Sequence, residues 1–474
     1  MELADNSLTW IAKEIAVGRI SPSSVVNAYL RRIEKLNPEM GAYVEVFGEA
    51  AVRAARVSES KLRSGAPVGL LEGVPIAIKD LLDVEGTATR CGSPMYGDRP
   101  VALRNATVIE RLQAAGAVIL GKAHLVELAY GGWGTNDGLG TPKNPWDMRV
   151  HRVAGGSSSG CAVAVACGLA AGAIGTDTGG SVRIPSAFCG LTGLKTTAGR
   201  VSRQGLSLLS GTLDTIGPMA RTAQDLALLL QVMHGPDSAD LLTTHTPAED
   251  FLGTLDDPIV GVRFALIDPG SWGAIQPEVL NAVQHVCQVL STLGCTRRDE
   301  LVVPLDLDAG QQASGTIIAR EAFLHHGKTL MDASAGGDQA ARARVLRGQK
   351  IDKAQYVLAL HDRARHITQF LPNFESLDIL VLPTVGIEAP PLADIDEDDP
   401  APSRFTRFVG YFGLCAIALP AGHTADGLPL SVQLVAGGLQ ERLLLRLAAA
   451  FQAVTEHHNR RPSTDSGPTA SGPS

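Results

Sequence analysis

The sequence predicts an α/β fold built on a substantial β-sheet, and three observations carry that expectation. Short apolar runs framed by glycine alternate with longer segments of helical period. A helix–glycine–strand order occurs at Thr107–Gly121, and the helix and its glycine stop return at Val279–Gly294. The chain has 474 residues, 45% hydrophobic and 19% charged, so it can bury the core that a large sheet requires.

Leu8–Ile33 reads as amphipathic helices broken at Gly18, with Ser21-Pro22-Ser23 supplying a cap and first turn. Val74–Ile78, after Glu72-Gly73, has the character of a buried strand that ends at Lys79-Asp80. Thr107–Ala115 is expected to be helical and closed by Gly116, with a strand over Ala117–Gly121. The most apolar window, Cys161–Ile174, is too short to span a bilayer and reads as a buried helix. A helix fits Val279–Leu293, and strands fit Ile259–Leu266, Ile379–Leu382 and Leu430–Val435. Pro304–His366 is helix-rich without glycine turns, as expected of a variable cap over a site, and Asp394–Pro400 reads as a solvated acidic loop. These elements form one domain over residues 1–456, followed by a polar tail at 457–474 that cannot bury enough surface to order itself.

Net charge is −8, which argues against nucleic-acid binding. The seven cysteines are scattered without a C-x-x-C pair, which predicts reduced thiols and neither a disulfide framework nor a zinc site. No basic segment followed by an apolar block opens the chain, so a cytoplasmic protein with no membrane association is expected. Any oligomer would by base rate be a homodimer.

Chemistry concentrates between Ala154 and Arg183. Two serine-bearing glycine turns, Gly155-Gly-Ser-Ser-Ser-Gly160 and Asp177-Thr-Gly-Gly-Ser181, bracket a stretch of small residues there. Glycines beside serine let the hydroxyl and backbone N–H groups approach a substrate, as a nucleophile with an oxyanion hole requires. No histidine lies within the stretch to act as base. Gly156–Gly160 matches the G-x-S-x-G elbow centred on Ser158, but its approach, Asn144–Val153, is too polar and proline-broken for the strand that motif needs. Asp177-Thr178-Gly179 matches the aspartic-protease triplet, yet its only counterpart, Asp465-Ser466-Gly467, falls in the tail. Gly327-Lys328-Thr329 lacks the upstream glycine of a phosphate-binding loop, and His325-His326 and His457-His458 lack ligand partners at metal-binding spacing. A lysine remains. Lys79 at a strand end would by itself usually reach solvent, but a desolvated lysine becomes neutral near pH 7 and can serve as base in a Ser–Lys arrangement.

Gly73–Asp80, Gly155–Gly160 and Gly175–Pro185, in that order, resemble the conserved blocks of the amidase signature family. The likeness continues through Gly134–Asp147, Phe188–Lys195, Gly199–Ser202, Asp214–Pro218 and Gly427–Gln433, and spans about residue 8 to residue 452. It implies a large twisted mixed β-sheet covered by helices on both faces, with no metal or other cofactor. By position it implies a catalytic lysine at Lys79, a cis-bonded serine at Ser157 and a nucleophile at Ser181. Backbone N–H groups of Thr178, Gly179, Gly180 and Ser181 would form the oxyanion hole, while Ser158, Asp177 and Arg183 would support and orient the turns. The implied activity is hydrolysis of a small-molecule linear amide, with anilides and carbamates within reach of the same chemistry. A glutaminase component of a glutamyl-tRNA amidotransferase complex is the alternative, suggested by Asn144–Asp147 and Gly199–Ser202. The chain departs from the family at Thr196 and Ala198, and at Gly410 and Cys415, where Asn and Pro are frequent; this implies a reshaped pocket wall. Tyr130, Trp133 and Tyr411 are the aromatic candidates for lining it.

Overall fold

The computed structural model describes residues 2–267, 269–299, 303, 305–332 and 336–463. Helices α1 (Leu8–Ala16) and α2 (Pro22–Met40) open the chain. Ser7 and Ser21 cap them, Pro22 occupies the first turn of α2, and Gly41 stops α2 in the left-handed region. Next come β1 (Tyr43–Val46), α3 (Gly48–Ser64), β2 (Pro75–Lys79), α4 (Thr107–Ala114) and β3 (Val118–Ala123). The region of the two serine turns holds α5 (Ser159–Ala166), β4 (Gly172–Asp177), α6 (Arg183–Phe188), β5 (Thr192–Lys195), β6 (Thr215–Ala220) and α7 (Ala223–Met233). Then β7 (Arg263–Leu266), α8 (Pro277–Thr292) and β8 (Thr296–Arg297) lead to four helices: α9 (Leu307–Asp332), α10 (Gln339–Arg347), α11 (Lys353–Phe370) and α12 (Asn373–Ser376). Finally β9 (Ile379–Pro383), α13 (Arg407–Tyr411), β10 (Cys415–His423), β11 (Pro429–Ala436) and α14 (Glu441–Ala453) complete the fold.

Among the described residues all eleven strands join one mixed sheet in the order β1-β3-β2-β4-β6-β5-β10-β11-β9-β7-β8. The neighbours β3, β2 and β4 run parallel, as do β9, β7 and β8, while the remaining pairs are antiparallel. Strands β2, β3, β4, β9 and β11 are buried along their whole length, which explains their continuous apolar or small-residue character. Parallel pairing of β2 with β4, with Ile78 opposite Ile174, brings the ends carrying Lys79 and Asp177 to the same edge.

The buried-helix reading of Cys161–Ile174 is corrected. Helix α5 ends at Ala166, Gly168 turns the chain at φ +66°, and Gly172–Ile174 begins β4. The Gly-Ala composition of β4 has poor strand propensity; tight packing selects it instead, since a Cβ at Gly172 would lie 2.8 Å from Leu8 Cδ1. The strand expected over Ile259–Leu266 is confined to Arg263–Leu266, because Gly261 turns at φ +83° and donates to the Gly294 carbonyl. At the C-terminus, His457–Asn459 forms a 3₁₀ turn whose His457 ring stacks on Phe451, so the tail expected from 457 starts with an ordered turn. Residues 464–474 lie outside the described residues. The seven cysteines are all buried and unpaired.

Candidate active site

Helix α5 begins directly after a cis peptide bond between Gly156 and Ser157 and packs against β2 and β4. All eight of its residues are buried. Close approach requires glycine at two points. A Cβ at Gly160 would sit 2.3 Å from the Ala42 carbonyl oxygen, and one at Gly175 would sit 2.8 Å from Ser158 Oγ. With those positions bare, Ser158 reaches across β4: its Oγ donates to the Thr176 carbonyl at 3.3 Å, and its N–H donates to the Ser181 carbonyl at 3.2 Å. Ser158 therefore ties the two serine turns together. It sits at the N-cap of α5, but its side chain makes no capping bond.

Lys79 projects from the end of β2 and is fully buried. Its Nζ donates to Ser157 Oγ at 2.7 Å and to Thr176 Oγ1 at 2.8 Å. Burial drives its pKa down from 10.5 to about 7, against a smaller upward pull from neighbouring groups that include Asp214 and Asp177. Lys79 is thus poised between ammonium and free amine near neutrality. Thr176 was not anticipated from sequence; its place two residues along β4 from Ile174, the partner of Ile78, puts its hydroxyl within reach.

The Asp177–Ser181 turn is held from several sides. Arg183 Nε and Nη2 donate to the two Asp177 carboxylate oxygens, each at 3.0 Å, and both side chains are fully buried. Burial pushes the Asp177 carboxyl up, but the Arg183 charge and hydrogen bonds outweigh it and hold the group below its ordinary value. Arg183 Nη1 donates to Gln433 Oε1 on β11, and Nη2 also donates to the Thr406 carbonyl. Thr406 Oγ1 donates to the Gly179 carbonyl at 2.6 Å, and Thr178 Oγ1 donates to Asp214 Oδ1 at 2.5 Å.

The Gly180 N–H, expected among the oxyanion donors, donates instead to Asp177 Oδ1 at 2.8 Å. Gly180 has φ +130°, and a Cβ there would lie 2.2 Å from Thr406 Oγ1, so its part is to let the chain turn. Among the described residues, the N–H groups of Thr178, Gly179 and Ser181 have no protein acceptor.

Those three residues face a cavity of about 410 Å³, whereas Lys79 and Ser157 have no exposed surface and do not line it. Tyr130 and Trp133 line the cavity, as expected from sequence. Tyr411 does not. Its ring is buried beside Phe412 and its hydroxyl pairs with His366 Nδ1 at 2.9 Å, an arrangement that satisfies a buried tyrosine away from the cavity. Helix α13 presents Arg407 to the cavity instead. Gly410 acts on the turn from behind, since a Cβ there would lie 2.7 Å from the Thr178 carbonyl oxygen.

The helix-rich region does wall the cavity, through Gln312, Gly315, Arg344 and Ile351 among others. The acidic loop expected to be a solvated face joins them. Glu397 pairs with Arg344 at 3.0 Å and Asp398 with Arg347 at 2.8 Å, and these carboxylates line the cavity because two arginines of α10 draw them there. Among the described residues, no group of three or more His, Cys, Asp or Glu side chains could hold a metal ion, and no helix is long and apolar enough to cross a membrane.

An α/β sheet carrying a buried lysine–serine contact and two glycine-framed serine turns holds the groups from which serine-dependent hydrolase sites are built. Comparison gives the family. The Amidase family model matches residues 24–445. The Mycobacterium tuberculosis protein AmiD, whose name assigns it provisionally to the amidases, is 36% identical over 462 residues, covering 96% of this chain and 95% of its own length. The A component of the Pseudomonas aeruginosa glutamyl-tRNA(Gln) amidotransferase is 34% identical over 483 residues, covering 96% of this chain and 99% of its own. The native peptide amidase of Stenotrophomonas maltophilia superposes with a TM-score of 0.83 at 28% identity, covering 96% of this chain and 98% of that one. The chain belongs to the amidase signature family, and it is a hydrolase acting on amide C–N bonds.

Proposed function

We propose that the protein cleaves a small linear amide through a Ser181 acyl-enzyme, with Ser157 and Lys79 relaying protons. One observation carries the proposal most directly: Lys79 Nζ stands 2.7 Å from Ser157 Oγ with both groups buried. Neutral Lys79 takes a proton from Ser157, which takes one from Ser181. The Ser181 oxygen then attacks the amide carbonyl. The developing oxyanion is met by the free N–H groups of Thr178, Gly179 and Ser181, each such donor typically contributing about 3–4 kcal/mol. Ser157 returns the proton to the departing nitrogen, the C–N bond breaks, and water cleaves the resulting ester by the reverse relay. Asp177 and Arg183 hold the turn that carries Ser181 and do not touch substrate. The same chemistry extends to anilides and carbamates. Labelling with a serine-directed fluorophosphonate, followed by peptide mapping, tests the assignment: modification at Ser181 is expected, and an unlabelled Ser181 in active protein overturns it.

The likeness to an amidotransferase component supports a second reading, in which glutamine is the amide and a partner protein receives the ammonia. Co-purification with a second protein together with glutamine hydrolysis would favour it. Turnover of simple amides by the isolated chain favours the first reading.

A further inference from the structure

The cavity wall carries three arginines, and two are already paired. Arg344 donates to the Tyr130 carbonyl and to Glu397, and Arg347 donates to Asp398. The acidic side of the wall is engaged too: besides Glu397 and Asp398, Asp399 accepts the Ala401 N–H. Arg407 differs. Among the described residues its guanidinium has no hydrogen-bond acceptor and no carboxylate partner. Burial lowers its pKa and Arg344 lowers it further, opposed by Tyr130, so among the described residues no carboxylate compensates its charge. A half-buried guanidinium without a protein partner, facing a cavity, is completed by water or by an anionic ligand that takes the water's place.

Its position is fixed by the nucleophile turn. The preceding residue, Thr406, donates its hydroxyl to the Gly179 carbonyl of that turn, and its own carbonyl accepts from Arg183 Nη2, which grips Asp177. Two bare glycines make room for the side chain. A Cβ at Gly179 would lie 3.1 Å from Arg407 Cγ and 3.6 Å from Nε, and one at Gly315 would lie 3.5 Å from Nη1. The guanidinium thus spans from the residue offering an oxyanion N–H to helix α9, across the floor of the cavity.

We propose that Arg407 is a specificity-determining residue that receives a carboxylate of the substrate, selecting short amides whose scissile carbonyl lies a few bonds from a free carboxylate. The planar fork suits bidentate carboxylate binding, and its closeness to Gly179 limits the link to about one to three methylenes. This deepens the amidase reading of the cavity and rests on it.

The test is binding to the full-length Ser181→Ala protein by isothermal titration, using malonamate, succinamate and glutaramate, each beside its neutral diamide. At one length or more the monoamide acid is expected to bind about 10- to 100-fold more tightly than its diamide, the range of a charge-assisted hydrogen-bonded pair. Arg407→Met in the same background should bring that ratio to about one. Arg407→Lys, which keeps the charge but loses the fork, should retain only part of the preference, and it carries the comparison if Arg407→Met does not fold. Absence of any preference at all three lengths, including absence of binding, overturns the proposal. So does a preference that survives either substitution undiminished. The hydrolytic reading is judged separately, by fluorophosphonate labelling of Ser181 in the unchanged protein, so failure of one is distinguishable from failure of the other.

Discussion

Replacing Lys79 by Arg separates the charge and reach of this side chain from its ability to give up a proton. In the fold, burial brings the Lys79 pKa from 10.5 to about 7. That displacement corresponds to about 5 kcal/mol of bias toward the free amine, at 1.36 kcal/mol per unit. In the proposed relay the neutral form is the base; its fraction grows with pH, so kcat/KM should rise with unit slope up to about pH 7, then level off. A guanidinium at the same place stays protonated throughout and cannot serve as base. Loss of general-base catalysis costs about 10²- to 10⁴-fold. The assay is initial-rate hydrolysis of a simple amide from pH 5.5 to 9.5, with ammonia detected by a coupled reaction. Lys79→Arg is expected to lose at least a hundredfold in kcat and to lose the limb near pH 7. A wild-type profile flat across pH 7, or Lys79→Arg activity within about tenfold of wild type, would refute the base assignment.

Lys79→Met should also change how stability depends on pH. Between about 7 and 10.5 the unfolded chain holds a Lys79 proton that the fold lacks, so raising pH favours the native wild type. Urea unfolding should therefore show Lys79→Met more stable than wild type near pH 7, with the difference shrinking toward pH 10. Asp177→Asn leaves Arg183 buried without its counter-charge; a loss of about 3–5 kcal/mol is expected from urea melts. Gly410→Asn brings a Cβ to 2.7 Å from the Thr178 carbonyl oxygen and must displace the turn that carries Ser181. It should lower kcat about tenfold or more at little cost in thermal stability, since small shifts of reacting groups are expensive in rate.

The starts of α1 and α2 were legible because the signals are local: Gly18 breaks the two helices and Ser21-Pro22 opens α2, whereas α2 runs on past the expected end at Ile33 to Met40, where Gly41 stops it. Strand β4 was not, because Gly172 and Gly175 are chosen by what packs against them, Leu8 and Ser158, and not by strand propensity. At the site, Lys79, Ser157 and Ser181 stood out through their glycine-rich surroundings and the order of their blocks. Lys79 and Ser157 prove to be in contact. Other parts of the surrounding wall escaped prediction for a different reason. Nothing near Asp394–Pro400 announces that Arg344 and Arg347 will draw the loop inward. Tyr411 looked like a lining residue, yet His366, from a distant helix, supplies the partner that keeps it in the core. Arg407, a single cation in the apolar run Phe405-Thr-Arg-Phe-Val409, was the available signal for a polar wall.

Thr406 lies 227 residues beyond the glycine whose carbonyl it holds, and Gln433 lies 250 beyond Arg183. The three side chains assigned to the chemistry are therefore synthesised long before the two residues that finish their turn. At about 5–20 residues per second, the emerging chain carries Lys79, Ser157 and Ser181 for roughly 10 to 50 seconds before Thr406 and Gln433 exist to shape the site. Activity is therefore expected only once β11, which carries Gln433, has joined the sheet. A chain cut short anywhere between Ser181 and Thr406 keeps all three side chains of the proposed relay and yet is expected to be inert.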